Sequence, residues 1–460
     1  MSAKSTLLSI VLIAFLLPVL VVGILAQEGE QPLFNSGTSP AQTPRKSGWE
    51  SSAGNPFAVS APATSNAFLG LERQLSPPDS VDANRHEPAI AYNSRNNEYL
   101  IVWQNAWPVG LNDVYARRVS ADGKLLSWFA VATGTNDKFQ ADVVYNNATN
   151  EYLIVWMFDV LGDGSKFDIF GRLVAWDGSY QKPEFEIISW HQRSMWSPRV
   201  DWNSKRNEYL VVWSAVDTSG GQPGVPSDIS SMTLDANGNI GTGRNLVTGD
   251  QPFEADVVYN PTRDEYFLVY VRTITTGSDI YGLRIHADNH VITPPGLIKI
   301  NDDPYDQNQP SIATNMKDRY VVAWQSEDSQ GRHFIYGQDL DLDGKTLQGW
   351  IMIFETKLSR PAVAAEFGDV ERYLVAWEDT TPGGKAVMAR MFGPDEPSAV
   401  RFTVSEGTSW ESAAPALAKG NIGYYFAYEG DSTSDPAVHG HIYGRSWVQH
   451  GVLLPIVRRP

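Results

Sequence analysis

One apolar strand pattern recurs seven times between residue 88 and the C-terminus, and it restricts the chain to a repeat architecture. Tyr99, Tyr152, Tyr209, Tyr266, Tyr320, Tyr373 and Tyr424 each begin a run that ends four residues later at Trp103, Trp156, Trp213, Tyr270, Trp324, Trp377 and Tyr428. Successive tyrosines stand 53, 57, 57, 54, 53 and 51 residues apart. In the second period Ala141–Tyr145 leads through an Asn-rich turn into Tyr152–Trp156. After a variable loop come Asp168–Leu173, a turn at Asp177-Gly178, and Phe185–Ser189. Four short strands joined by Asn and Gly turns read as antiparallel hairpins.

The second strand of each period is apolar on both faces, with Tyr152, Ile154 and Trp156 on one and Leu153 and Val155 on the other. Such a strand must be covered twice. The pattern therefore predicts an all-β fold, a seven-bladed β-propeller of four-stranded antiparallel blades, each sandwiched between two neighbours. With 42% apolar residues, 15 Trp and 19 Tyr, the chain has the material for such a core. A column of small residues, Ala116, Gly171, Ser231, Gly282, Gly337, Ala389 and Gly444, is expected to let the bulky aromatic of the adjacent strand lie across the third strand. Two segments compete to complete the last blade. Leu71–Ser76 is preferred to Val452–Val457, because it ties both chain ends together and leaves no open edge.

Ahead of the repeats, Lys4 precedes an apolar run from Leu7 to Leu25 that ends at Ala26. Residues 1–26 read as a signal peptide, with an uncleaved anchor as the alternative. Residues 27–67 read as a flexible Ser/Pro/Gly-rich linker, and 68–460 as the propeller. The expected location is secreted or cell-surface, in a bacterium, with no further membrane span and a monomeric state. Absence of cysteine excludes disulfides, thiolate metal sites and cysteine nucleophiles. A net charge of −17 argues against nucleic-acid partners, which require a basic surface.

Chemistry is harder to find. Asp339, Asp341, Asp343 and Gly344 match the opening of a calcium loop, but Trp350 stands where the bidentate carboxylate is needed, so the segment reads as a hairpin turn. Asp302, Asp303 and Asp306 offer oxygen ligands for calcium or simply form an acidic loop; no cofactor is expected. His86, His286 and His441 have no metal-binding spacing. Sialidase-type Ser-x-Asp-x-Gly-x-Thr-Trp turns are missing, and no catalytic or metal residue is assigned.

Short turns such as Asn93 to Asn97 read as structural, whereas the loops between second and third strands vary and should share one rim. At that rim a ring is expected from Glu87, Gln140, Ser197, Glu254, Gln309, Arg360 and Ala414. Its carboxylates, amides and guanidinium suit hydrogen bonding to a polyol or sugar. Trp196 and Trp410 would supply stacking surfaces. Two residues further on, Asp142, Arg199 and Asp256 are expected to form an inter-blade ion ladder.

Asn-Glu-Tyr-Leu-Ile-Val-Trp at 150–156 and Asp-Ile-Tyr-Gly-Leu-Arg at 279–284 resemble the repeats of secreted bacterial seven-bladed β-propeller proteins, mostly of unassigned function. The resemblance covers residues 68–460 and implies fold and export, without catalytic residues to carry over. The ending Leu453-Leu454-Pro455-Ile456-Val457-Arg458-Arg459 resembles a sorting tail of exported proteins. The function expected is a non-catalytic extracellular binding or interaction module for a glycan or a protein. An extracellular glycoside hydrolase or polysaccharide lyase, and a structural cell-envelope component, are the alternatives.

Overall fold

The computed structural model describes residues 69–448 apart from short segments, of which 78–82, 219–225, 394–400, 406–409 and 433–439 are the longest. The signal segment, the linker and Val452–Val457 lie outside the described residues. Among those described, twenty-eight strands form seven antiparallel sheets of four, and no helix occurs. The chain is a seven-bladed β-propeller.

The innermost strands run in order through Asn84–Asn93, Lys138–Asn146, Arg193–Asn203, Pro252–Asn260, Asp306–Thr314, Ala362–Ala365 and Trp410–Lys419. Each packs beside the next and the last returns to the first, so they enclose a central channel. Six blades take all four strands from consecutive sequence. The seventh takes its fourth strand, Arg73–Gln74, from the N-terminal side, where it pairs with Gly444 and Tyr443 of His441–Trp447. Leu75, fully buried, donates its N–H to the Ile442 carbonyl and seals the join.

Burial on both faces of the second strand appears as seven separate apolar clusters, one at each seam between blades. Tyr152, Ile154 and Trp156 pack back onto Leu100 and Val102 of the first blade. Leu153, Val155 and Met157 pack forward onto Tyr209, Val211 and Trp213 of the third. Each buried aromatic removes roughly 150–250 Å² from water, worth about 4–6 kcal/mol before entropy. No blade can bury its own second strand alone.

The Asn-rich turns fasten the seams at the opposite end. Asn93, Asn146, Asn203 and Asn260 are fully buried. The Asn146 Oδ1 accepts the N–H groups of Ala148 and Thr149, while its Nδ2 donates to Asn207 Oδ1 and the Tyr209 hydroxyl of the next blade. Asn93 and Asn203 repeat this arrangement against Asn150 and Asp264. One asparagine thus shapes its own turn and pins the neighbouring one.

The small-residue column meets an aromatic of the adjacent strand at Gly282 and Gly444 but not at Gly171. Val102 pairs with Ala116 and Val269 with Gly282, so the column lies on the face away from the Tyr and Trp side chains. A Cβ on Gly171 would meet Ile187 at 3.0 Å, a fourth-strand side chain. At Gly282 and Gly444 it would meet Phe267 at 2.6 Å and Tyr425 at 2.7 Å. Those rings belong to the residue after the column tyrosine, and period-two alternation puts them on the opposite face.

The acidic turn is a hairpin. Asp341 Oδ1 accepts the N–H groups of Asp343 and Lys345, Gly344 adopts φ 76°, and Asp339 and Asp343 are paired with Arg319 and Arg263. Asp302 and Asp303 lie outside the described residues; Asp306 accepts the Ser278 N–H.

Trp324 is fully buried in its seam, whereas Trp128 is 47% exposed on an outer strand. Trp324→Ala should cost about 3–5 kcal/mol in urea denaturation, and Trp128→Ala under about 1 kcal/mol.

Candidate functional site

Seven ring residues, one per blade, share a backbone conformation that L-residues avoid. Glu87, Gln140, Ser197, Glu254, Gln309, Arg360 and Ala414 all have φ between 46° and 57°. Left-handed geometry costs a non-glycine residue roughly 1–2 kcal/mol. In six inner strands the ring residue sits in a β-bulge, visible as the register slips His86/Ala89, Phe139/Asp142, Trp196/Arg199, Phe253/Asp256, Asn308/Ser311 and Ala413/Ala416. In the sixth blade the paired strand begins only at Ala362, after Arg360.

In five blades the ring N–H is turned sideways, out of its own sheet. Ser197 donates to Gln140 Oε1 at 3.1 Å, Gln309 to Glu254 Oε2 at 2.7 Å, and Arg360 to Gln309 Oε1 at 2.9 Å. Every acceptor belongs to the preceding blade. Arg360 and Ala414 have no side-chain acceptor to offer, so second-strand carboxylates take their place: Glu378 receives the Ala414 N–H and Glu429 the Glu87 N–H, both at 2.7 Å. These five bonds form a partial belt around the channel mouth, with none among the described residues at the joins of blades one and two or three and four, and offset the strained backbone.

The belt uses one polar atom of each acceptor and leaves the other. Glu254 Oε1, Gln140 Nε2 and Gln309 Nε2 bond to no protein atom among the described residues. The Glu87 carboxylate makes no hydrogen bond there at all. Arg360 is half exposed and lies 3.7 Å from Glu378, with the charges of Glu87, Glu429 and Glu254 also around it. The ring thus carries two carboxylates and three donor side chains with polar atoms outside the belt.

Burial raises Glu87 above the ordinary carboxylate range, against the pull of Arg360. Glu254 and Glu378 are raised for the same reason, opposed by the Gln309 N–H and by Arg360 respectively. Burial would also lift Glu429, but the hydrogen bond and charge of His86 outweigh it and leave it below its usual value. His86 is raised in turn, as Glu429 outweighs burial. The sequence reading overlooked Glu378 and Glu429. Their signal is a carboxylate directly after the column aromatic, in a strand otherwise apolar.

One step below, the expected ion ladder is replaced by carboxylate-to-amide bonds. Asp142 Oδ2 accepts Val200 N–H and Asp256 Oδ2 accepts Ile312 N–H, both at 2.9 Å. Burial raises both above the usual carboxylate range, against the charge of Arg199, which bonds to the Pro198 carbonyl and forms no salt bridge among the described residues. Asp201 joins this tier through the N–H groups of Tyr259 and Trp202. All three carboxyl-bearing residues are half-buried on the inner strands.

The two tryptophans fare differently. Trp196 is turned into the seam between blades two and three, edge-on to Phe167 at 4.8 Å. Trp410 opens the seventh inner strand, paired in register with Ser432; its side chain lies outside the described residues. His286 lies 3.8 Å from Glu265, and His441 Nδ1 is 2.9 Å from Arg85. Among the described residues no group of His, Asp and Glu is arranged to hold a metal.

A protein of unknown function from Dyadobacter fermentans superposes with a TM-score of 0.52 at 12% identity, covering 82% of this chain and 99% of that one. A polysaccharide lyase, an ulvan lyase, superposes with a TM-score of 0.52 at 8% identity, covering 80% and 95%. The likeness is one of fold alone. No family model matches the sequence, and no curated protein matches it.

Burial holds Asp201 at about 7 and Asp256 at about 6, far above the unfolded value of 3.8. The folded chain therefore binds more protons between those values, and this contribution to stability, full below the unfolded value, is lost as pH rises through the folded ones. Asp201→Asn should match the parent in denaturation midpoint near about pH 3, below the unfolded value, and exceed it near about pH 8. An unchanged difference across that range would refute the buried charge.

Proposed function

We propose that this propeller is an exported, non-catalytic glycan-binding module whose site is the channel mouth. The observation that carries the reading is the set of half-used side chains: Glu87 and Glu254 present acceptors, while Gln140, Gln309 and Arg360 present donors, on a backbone locked by the belt. Sugar hydroxyls donate and accept at once, so they match an alternation of this kind better than an apolar or singly charged ligand does. Preorganised groups lower the ordering cost of binding. The ulvan lyase shows that a protein of this fold acts on a polysaccharide, which is compatible support.

A second reading is hydrolysis or lysis of the same ligand. It is favoured by one observation, the opposite shifts of two adjacent carboxylates, Glu87 raised by burial and Glu429 lowered by His86. Such separation assigns acid and base roles.

A glycan array with the purified domain tests both. Glu87→Gln removes no protein hydrogen bond, so it should leave the melting temperature unchanged and weaken the best array ligand about tenfold, or about 1.4 kcal/mol. Loss of the parent ligand into shorter fragments, read by reducing-end release, would replace the binding reading with the catalytic one. An array with no ligand, or Glu87→Gln binding at full strength, sinks the mouth as a sugar site.

A further inference from the structure

The third blade breaks the repeat at one place, and a pocket opens there. Across the pairing of second and third strands, each column aromatic faces a fixed partner: Trp103 faces Tyr115, Trp156 faces Phe170, Tyr270 faces Tyr281, Trp324 faces Tyr336, Trp377 faces Met388 and Tyr428 faces Tyr443. Only Trp213 faces a serine, Ser230. Five aromatics and one methionine cover the column elsewhere, so the serine leaves the area of a ring unfilled. A cavity of about 290 Å³ occupies this space on the flank between blades two and three. It is lined by Trp213, with Ile188, Met195 and Met232 as walls and the half-exposed Trp190 at the edge.

The polar border is built rather than incidental. Ser230 Oγ lies 2.7 Å from Asp228 Oδ1 and 3.0 Å from Asn245 Oδ1. Asp228, almost fully buried, is ion-paired with Arg193, whose guanidinium stacks 4.8 Å from the Trp190 ring. Asn245 is exposed, and its Nδ2 bonds to no protein atom among the described residues. An indole-lined bowl is thus edged on one side by a hydroxyl, an amide and a guanidinium.

We propose that this pocket is a binding site for a single pyranose ring, separate from the channel mouth. The C–H face of the ring would lie on the apolar lining, and its hydroxyls would meet Asn245, Ser230 and Arg193. A purely apolar side chain would cover these groups without satisfying them, at a cost of about 1–3 kcal/mol for each one desolvated. The cavity is at the small end of ligand pockets, which run roughly 300–1,000 Å³, so it takes one ring and not an oligomer. The site does not depend on the mouth reading.

The test uses the whole propeller with methyl pyranosides of glucose, galactose and mannose, and free N-acetylglucosamine, followed by ligand-observed NMR and tryptophan fluorescence. One of these sugars should bind with a dissociation constant on the order of 1 mM. Ser230→Phe restores the ring that other blades carry, so it should fold with an unchanged or higher melting temperature and weaken binding at least about tenfold. Asn245→Ala, on the exposed outer strand, should weaken it without a change in melting temperature. Saturable binding lost in both variants but kept in Glu87→Gln establishes the flank site. Binding lost in Glu87→Gln but kept in Ser230→Phe would overturn it in favour of the mouth, and no binding up to about 50 mM would overturn it outright.

Discussion

Everything in this molecule depends on a strand that no blade can bury alone. The second strand is apolar on both faces, so each blade needs a neighbour on both sides. A row of such blades would always end in two exposed apolar faces, and only closure removes them. The short pairing of Arg73–Gln74 with His441–Trp447 is accordingly worth more than its two residues of ladder. It completes the last blade, and with it the seams on either side of that blade.

Closure places seven inner strands side by side, and their bulges convert that proximity into a polar belt. The cost is seven left-handed residues that are not glycine. Offsetting this, ring N–H groups that would otherwise point at nothing are received by the adjacent blade. Where Arg360 and Ala414 cannot accept, Glu378 and Glu429 supply the acceptor from the second strand of the same blade. Side chains that satisfy the belt with one atom keep a second outside it.

Much of this was open to reading from the repeats. Strand number, antiparallel hairpins, the two-sided second strand and the turn asparagines follow from spacing and alternation, because those patterns are local and period two is strict. The ring positions were legible too, since the same register recurs in each period. Their conformation was not, as a bulge leaves no composition of its own when Glu, Gln, Ser, Arg and Ala all adopt it. Trp196 shows the same limit. It adjoins Ser197 in sequence, yet alternation turns it into the seam toward Phe167. The small column was legible as the close approach of an adjacent-strand aromatic, which holds at Gly282 and Gly444, whereas at Gly171 a fourth-strand aliphatic takes that place.

The sequence by itself determined the repeat, its sevenfold count, the β class and the columns that line the channel, since each is periodic along the chain. Tertiary structure alone decided which atoms the belt consumes, that Arg199 stands between carboxylates without pairing, and that Ser230 leaves a pocket where other blades place a ring. The physical reason is common to all three. The partners lie on different strands, within one blade for most of the Ser230 pocket and in neighbouring blades some fifty residues apart for the belt, and their geometry exists only in the folded chain.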